Sequence, residues 1–240
     1  GGDGTGGDDT MGTGGDGTNN DNRGIRLTED ASITSTGTGA NAADITLTGT
    51  GGAGDRNNQG ILLSTGVITT SEGDISLTGT GGGTSGDFNT GVRVQNNGSR
   101  VEVGGVGNLT VIGTGGNGPS IGVAGRNDGG IFSSTGSGTI EITAEGTGGA
   151  SDFQLENTST VGGASATGDI LINADTIAWS GTTTIQSAGN LQIIPRSGGT
   201  TIGLGDAASG TLNLEAAELG YLADGFSSIL IGEFGAGDIT

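Results

Sequence analysis

A four-residue pattern returns along the chain at intervals that suit a stacked coil: a small polar residue, an aliphatic, a mostly polar residue, a second aliphatic. It stands at Asp44-Ile45-Thr46-Leu47, Asp74-Ile75-Ser76-Leu77, Asn108-Leu109-Thr110-Val111 and Thr139-Ile140-Glu141-Ile142. It continues at Asp169-Ile170-Leu171-Ile172, Asn190-Leu191-Gln192-Ile193 and Thr211-Leu212-Asn213-Leu214, and Asp238-Ile239-Thr240 begins an eighth copy. The spacings are 30, 34, 31, 30, 21, 21 and 27 residues, the range of solenoid repeats.

Alternate side chains of a strand point to opposite faces, so the two aliphatics of each copy share one face. Stacking the copies places Ile45, Ile75, Leu109, Ile140, Ile170, Leu191 and Leu212 in one column. Leu47, Leu77, Val111, Ile142, Ile172, Ile193 and Leu214 form a second. Further short runs fill each turn. Ile25-Arg26-Leu27, Ile61-Leu62-Leu63, Val92-Arg93-Val94 and Phe153-Gln154-Leu155 form one set. Ile33, Val67-Ile68, Val101-Glu102-Val103 and Ile131-Phe132 form another. The expected fold is all-β: a right-handed parallel β-helix (β-solenoid) of about eight coils, three short strands per coil. One coil alone buries too few aliphatics to offset the ordering of some thirty residues, so stability comes from neighbours.

Without that period the composition would describe an unfolded chain: 57 Gly, 2 Pro and only 30% hydrophobic residues. The glycines are themselves periodic. Gly49-Thr50-Gly51-Gly52, Gly79-Thr80-Gly81-Gly82, Gly113-Thr114-Gly115-Gly116 and Gly146-Thr147-Gly148-Gly149 follow successive strands, and Gly12-Thr13-Gly14-Gly15 suggests an earlier turn. They read as corners, where glycine accepts positive φ. Residues 1–240 form a single solenoid section. Coils of about 30 residues fill 1–168, and tighter coils of about 21–27 residues fill 169–240. Glu215-Ala216-Ala217-Glu218-Leu219 has the composition of one helical turn within a coil.

Charge narrows the partners. Twenty-six acidic residues face seven basic ones, all Arg, for a net charge of −19. Nucleic acid and anionic membranes require clustered positive charge, so neither is expected as a partner. No apolar run reaches the roughly 20 residues of a spanning helix, so membrane insertion is not expected either. Cys is absent, which removes disulfides and thiol chemistry and fits an outer surface. No signal peptide is visible, as for a processed or excerpted chain.

The stretch from Gly168 to Thr240 resembles the repeats of filamentous-haemagglutinin-like large exoproteins. The likeness is carried by Gly168-Asp169-Ile170-Leu171-Ile172-Asn173-Ala174-Asp175-Thr176-Ile177, Gly189-Asn190-Leu191-Gln192-Ile193-Ile194-Pro195, Thr200-Thr201-Ile202-Gly203-Leu204-Gly205, Gly210-Thr211-Leu212-Asn213-Leu214 and Asp224-Gly225-Phe226-Ser227-Ser228-Ile229. The resemblance implies a secreted β-helical stalk at the bacterial cell surface, acting in adhesion, aggregation or coating. The Gly-Thr-Gly-Gly coils are longer than that family's usual repeat.

Calcium is the one ligand the sequence nominates. Asp16, within Gly14-Gly15-Asp16-Gly17-Thr18-Asn19, stands with Asp3, Asp8, Asp9 and Asp21 in a Gly-rich run close to a calcium-binding β-roll motif. The nonapeptide period and its aliphatic anchor are missing. A solvated acidic loop accounts for the same residues. Catalysis has little to work with: His, Cys and Lys are absent. A carboxylate pair for glycoside cleavage would have to come from adjacent coils. Asp44, Asp74 and Asp169 open strands, but Asn108, Thr139, Asn190 and Thr211 interrupt the series, so they read as corner residues bonding local backbone. Trp179 and Tyr221 suit a sugar platform or simple packing.

The expected function is structural or adhesive and not enzymatic. Partners would be neighbouring copies or coils stacked head-to-tail, since neither end carries a polar cap, together with cell-surface glycans. The alternatives are a carbohydrate-binding or polysaccharide-cleaving β-helix and a calcium-dependent matrix protein.

Overall fold

Each alternating run becomes a strand of three to six residues, and three such strands make one turn of a right-handed parallel β-helix. The computed structural model describes residues 20–232. The first coil is β1 (Ile25–Thr28), β2 (Ser32–Ser35) and β3 (Ile45–Thr50). The second is β4 (Ile61–Ser64), β5 (Val67–Thr70) and β6 (Ile75–Thr80), and the third β7 (Val92–Gln95), β8 (Arg100–Val103) and β9 (Leu109–Thr114). Next come β10 (Val123–Arg126), β11 (Ile131–Ser134) and β12 (Ile140–Glu145), then β13 (Phe153–Leu155), β14 (Thr160–Gly162) and β15 (Ile170–Asn173). The sixth coil is β16 (Ile177–Trp179), β17 (Thr184–Gln186) and β18 (Asn190–Ile194).

Three parallel sheets result. Face 1 runs β1-β4-β7-β10-β13-β16, face 2 runs β2-β5-β8-β11-β14-β17, and face 3 begins β3-β6-β9-β12-β15-β18. The inner columns follow the alternation. Ile45, Ile75, Leu109, Ile140, Ile170 and Leu191 align in register on face 3, with Leu47, Leu77, Val111, Ile142, Ile172 and Ile193 beside them. On face 2, Ile33, Ile68, Val101, Phe132, Val161 and Ile185 align. Most of these side chains have no solvent-exposed surface, so the aliphatic columns pack as a continuous core along the stack.

The last part of the stack departs from the repeat read in the sequence. Thr211-Leu212-Asn213-Leu214 does not form the next rung of face 3. β19 (Ile202–Leu204) and β20 (Leu212–Leu214) pair with each other as a separate parallel ribbon. The seventh rung is β21 (Ser228–Ile231), with Ile229 beside Leu191 and Ile231 beside Ile193. Leu-x-Leu alternation requires that both leucines be buried, and both are. It does not say which strand they lie beside. The copy at Asp238 lies outside the described residues, so face 3 shows seven rungs where eight copies were expected.

The intervening segment, residues 195–227, covers the edges of β16 and β17, the last strands of faces 1 and 2. Helix α1 (Ala216–Leu219) is the helical turn anticipated around Glu215, with a reciprocal capping box between Glu215 and Glu218. Glu218 Oε1 accepts the edge N–H of Trp179 at 2.9 Å. The N–H of Ile185 donates to Tyr221 O, and Ala223 donates back to Ile185 O. Asp175 fastens the start of this segment, accepting from Ser197 N–H at 2.8 Å, Ser197 Oγ at 2.6 Å and Thr200 Oγ1 at 3.1 Å. Burial opposes ionisation of Asp175, but these bonds and the nearby Arg196 outweigh it and hold the carboxyl below its usual range.

Gly148 and Gly149 have the positive φ expected of a corner, 61° and 84°, but the first glycine of the three earlier runs serves another purpose. Gly49, Gly79 and Gly113 lie inside β3, β6 and β9 at inward positions, and none has positive φ. They are required by crowding: a Cβ on Gly113 would stand 2.2 Å from Gly122 O, and one on Gly79 the same distance from Gly91 O. The next residue of that column is Ala144. Its corner is built differently, with Asp152 Oδ1 accepting the Gly146 N–H at 2.6 Å. Gly113→Ala is therefore expected to lose roughly 1–3 kcal/mol through overpacking. Gly198→Ala, where nothing lies within 4 Å, should leave the urea midpoint unchanged.

Candidate functional site

Of the residues nominated for calcium, Asp21 alone lies within the described residues. Asp3, Asp8, Asp9 and Asp16 lie outside the described residues. Asp21 adopts a left-handed turn with φ of 72° and its carboxylate pairs with Arg23 at 2.9 Å. Among the described residues no group of three or more acidic side chains is arranged to hold a metal.

The strand-opening acids are ladder residues. Asp44 Oδ1 accepts the N–H of Asp74 at 2.9 Å, and Asp74 Oδ1 accepts that of Asn108 at 2.7 Å. Asn108 Oδ1 accepts the N–H of Thr139 at 2.9 Å, and Asp169 Oδ1 accepts that of Asn190 at 2.8 Å. Each bond therefore crosses to the next coil, not to local backbone as the turn chemistry implied. Asn108 interrupts the acidic series without interrupting the ladder, because its amide oxygen accepts as a carboxylate oxygen does.

A second ladder runs inside the corner between faces 3 and 1. Asn58 Oδ1 accepts the N–H of Asn22 at 3.0 Å, and Asn89 Oδ1 accepts the N–H of Asn58 at 2.9 Å. Asn58 and Asn89 are fully buried. Trp179 is buried too, packed edge-on to Phe153 with ring centroids 6.2 Å apart, and Tyr221 is partly buried against the core. Packing is their role here.

The flank of face 1 holds a cluster that the sequence reading did not single out. Arg26, Leu62, Arg93, Ala124 and Gln154 occupy successive outward positions of its strands. Arg126 extends from the fourth position of β10, and Arg23 precedes β1. Four of the seven arginines thus gather on one side of an acidic protein. The loop before β7 brings Phe88 over them, with its ring centroid 6.0 Å from the Arg93 guanidinium carbon and 5.8 Å from that of Arg126. Leu62 and Ala124 are buried beneath this layer although they point outward from the coil.

The flank is strained and incompletely paired. Phe88 has φ of 63°, a conformation costly for a bulky residue, and remains 40% exposed. Arg126 makes a bidentate pair with Glu156, Nε to Oε2 at 3.0 Å and Nη2 to Oε1 at 2.7 Å. Gln154 Nε2 donates to the same Glu156 at 2.8 Å, whereas its Oε1 is buried without a partner. Arg93 Nε is likewise buried and unpartnered. No described carboxylate lies within ion-pair distance of Arg93. Its pKa is lowered to about 10, first by burial and then by Arg126, so it keeps its charge at neutral pH.

No protein-family model, curated protein or solved structure matches this chain. The site therefore stands on its own chemistry.

Beside Phe88 the loops of three coils leave a cleft of about 300 Å³, lined among others by Pro119, Ile121, Arg126, Ser151 and Gln154. A second, shallower groove of about 510 Å³ runs along Gly51, Gly81, Gly82, Gly115 and Gly116, and is walled mainly by backbone. The first combines an apolar ring, a guanidinium and an amide. The second offers only small residues. Arg26 and Arg93 could have been noticed as the cationic outward residues of two copies of one motif, Gly-Ile-Arg-Leu and Gly-Val-Arg-Val. The approach of Phe88 depends on loop conformation and carries no sequence signal.

Proposed function

We propose that the chain is a structural and adhesive section of an extracellular β-solenoid, built to hold binding flanks on a stiff rod. The observation that carries this reading is the unbroken parallel register through six full coils, with side-chain ladders tying one corner to the next. Stacked rungs about 4.8 Å apart give a rigid array whose inner columns are constrained and whose outward residues are free to vary. Outward positions on face 1 do vary, from Arg to Leu, Ala and Gln. The resemblance of residues 168–240 to filamentous-haemagglutinin-like exoproteins agrees with this role and with a bacterial surface location.

Adhesion is tested by coating fluorescent beads with the purified protein and washing them over bacterial, epithelial and glass surfaces. Retention on at least one surface above beads bearing an unrelated protein of equal net charge is the expected result. Equal retention on all of them would overturn the adhesive reading.

A further inference from the structure

Building on the adhesive reading, we propose that the cleft on the flank of face 1 binds saccharides bearing a carboxylate, the uronic-acid class. Four observations converge on that chemistry. The exposed part of the Phe88 ring offers an apolar surface for the C–H face of a sugar, and its left-handed backbone keeps it at the mouth of the cleft. Arg126 spends two of its five N–H donors on Glu156, which leaves three for a ligand carboxylate while Glu156 fixes the guanidinium plane. Arg93 adds a second positive charge beside the same ring and has no carboxylate of its own. Gln154, held by its bond to Glu156, lines the same cleft with its polar side chain.

Size and wall composition agree. A volume of about 300 Å³ sits at the small end of ligand sites. Gly149, Ala150 and Ser151 form one wall without bulky side chains. The choice of an anionic over a neutral sugar follows from charge distribution. Elsewhere the protein, at a net charge of −19, repels anions, so an acidic polymer would be held only where arginines gather.

The test uses the full chain and three immobilised uronic-acid polymers, polygalacturonate, alginate and hyaluronan, each beside its carboxyl-reduced counterpart. At least one polymer should bind, its reduced form should bind at least about tenfold more weakly, and added salt should weaken the complex. Phe88→Gly removes the ring at a backbone conformation that glycine prefers, so it should cost at least about tenfold in affinity while the melting temperature holds. Arg126→Gln should show a similar affinity loss. Absence of binding to all three polymers, equal binding of the reduced forms, or full affinity in both variants would overturn the site. Bead retention is measured separately. Retention without uronate binding would sink this site and leave the adhesive reading standing. Uronate binding without retention would do the reverse.

Discussion

Replacing Leu77 by Asp is expected to abolish the folded signal of at least the second and third coils. Leu77 has no exposed surface and lies between Leu47 and Val111 in the face 3 column. The substitution removes about 1.5–3 kcal/mol of apolar burial and places a carboxyl where no donor can reach it. Protonation of the new carboxyl softens the penalty but does not cancel it, so a total loss above about 4 kcal/mol is expected. Each coil draws its stability from its neighbours, and the damage should therefore spread along the stack. Hydrogen exchange read by mass spectrometry would report it as lost protection across residues 45–114. Ser76→Asp is the control on the same strand. Its side chain points outward between Thr46 and Thr110, and its stability change should stay within about 0.5 kcal/mol. Wild-type protection in Leu77→Asp would contradict the inward column.

Asn89→Ala is expected to cost about 3–5 kcal/mol, an unusual amount for a polar residue in a glycine-rich loop. Its Oδ1 accepts from both the N–H and the side-chain amide of Asn58, and its Nδ2 reaches the carbonyls of Asp55, Gly86 and Asn117. Truncation would strand buried donors and acceptors in two loops at once, at roughly 1–3 kcal/mol for each unmet group. Asn97→Ala, at an exposed turn position, should be neutral. Urea unfolding followed by circular dichroism separates the two. Equal midpoints would mean that the Asn ladder does not bind the coils together.

Much of this architecture was legible because a solenoid repeats its chemistry. Ile45, Ile75, Leu109, Ile140, Ile170 and Leu191 are marked as one column by the sequence, since period-two alternation and a fixed repeat leave a single way to bury them. Spacing failed where the chain broke its own rule. Leu212 and Leu214 carry the same alternation, yet Ser228–Ile231 takes their rung while they pair with β19 and help to cover the last coil. The glycine runs marked the corners correctly, but carbonyl oxygens 2.2 Å from a would-be Cβ, not left-handed turns, are what exclude other residues at Gly79 and Gly113. Of the flank site, sequence showed only that Arg26 and Arg93 point outward. Gln154 shares that outward row, Arg126 ends β10, and the position of Phe88 over them is set by a loop.

The sequence by itself determined the β-helix, its three faces and its aliphatic interior, because burial of alternating side chains is a local rule summed over many copies. Tertiary structure alone decided which rung follows Asn190, how the segment from 195 to 227 covers the open edge, and where an aromatic ring meets two arginines. Those outcomes depend on backbone crowding and on loops with no period, whose partners lie some thirty residues away along the chain but one coil away in space.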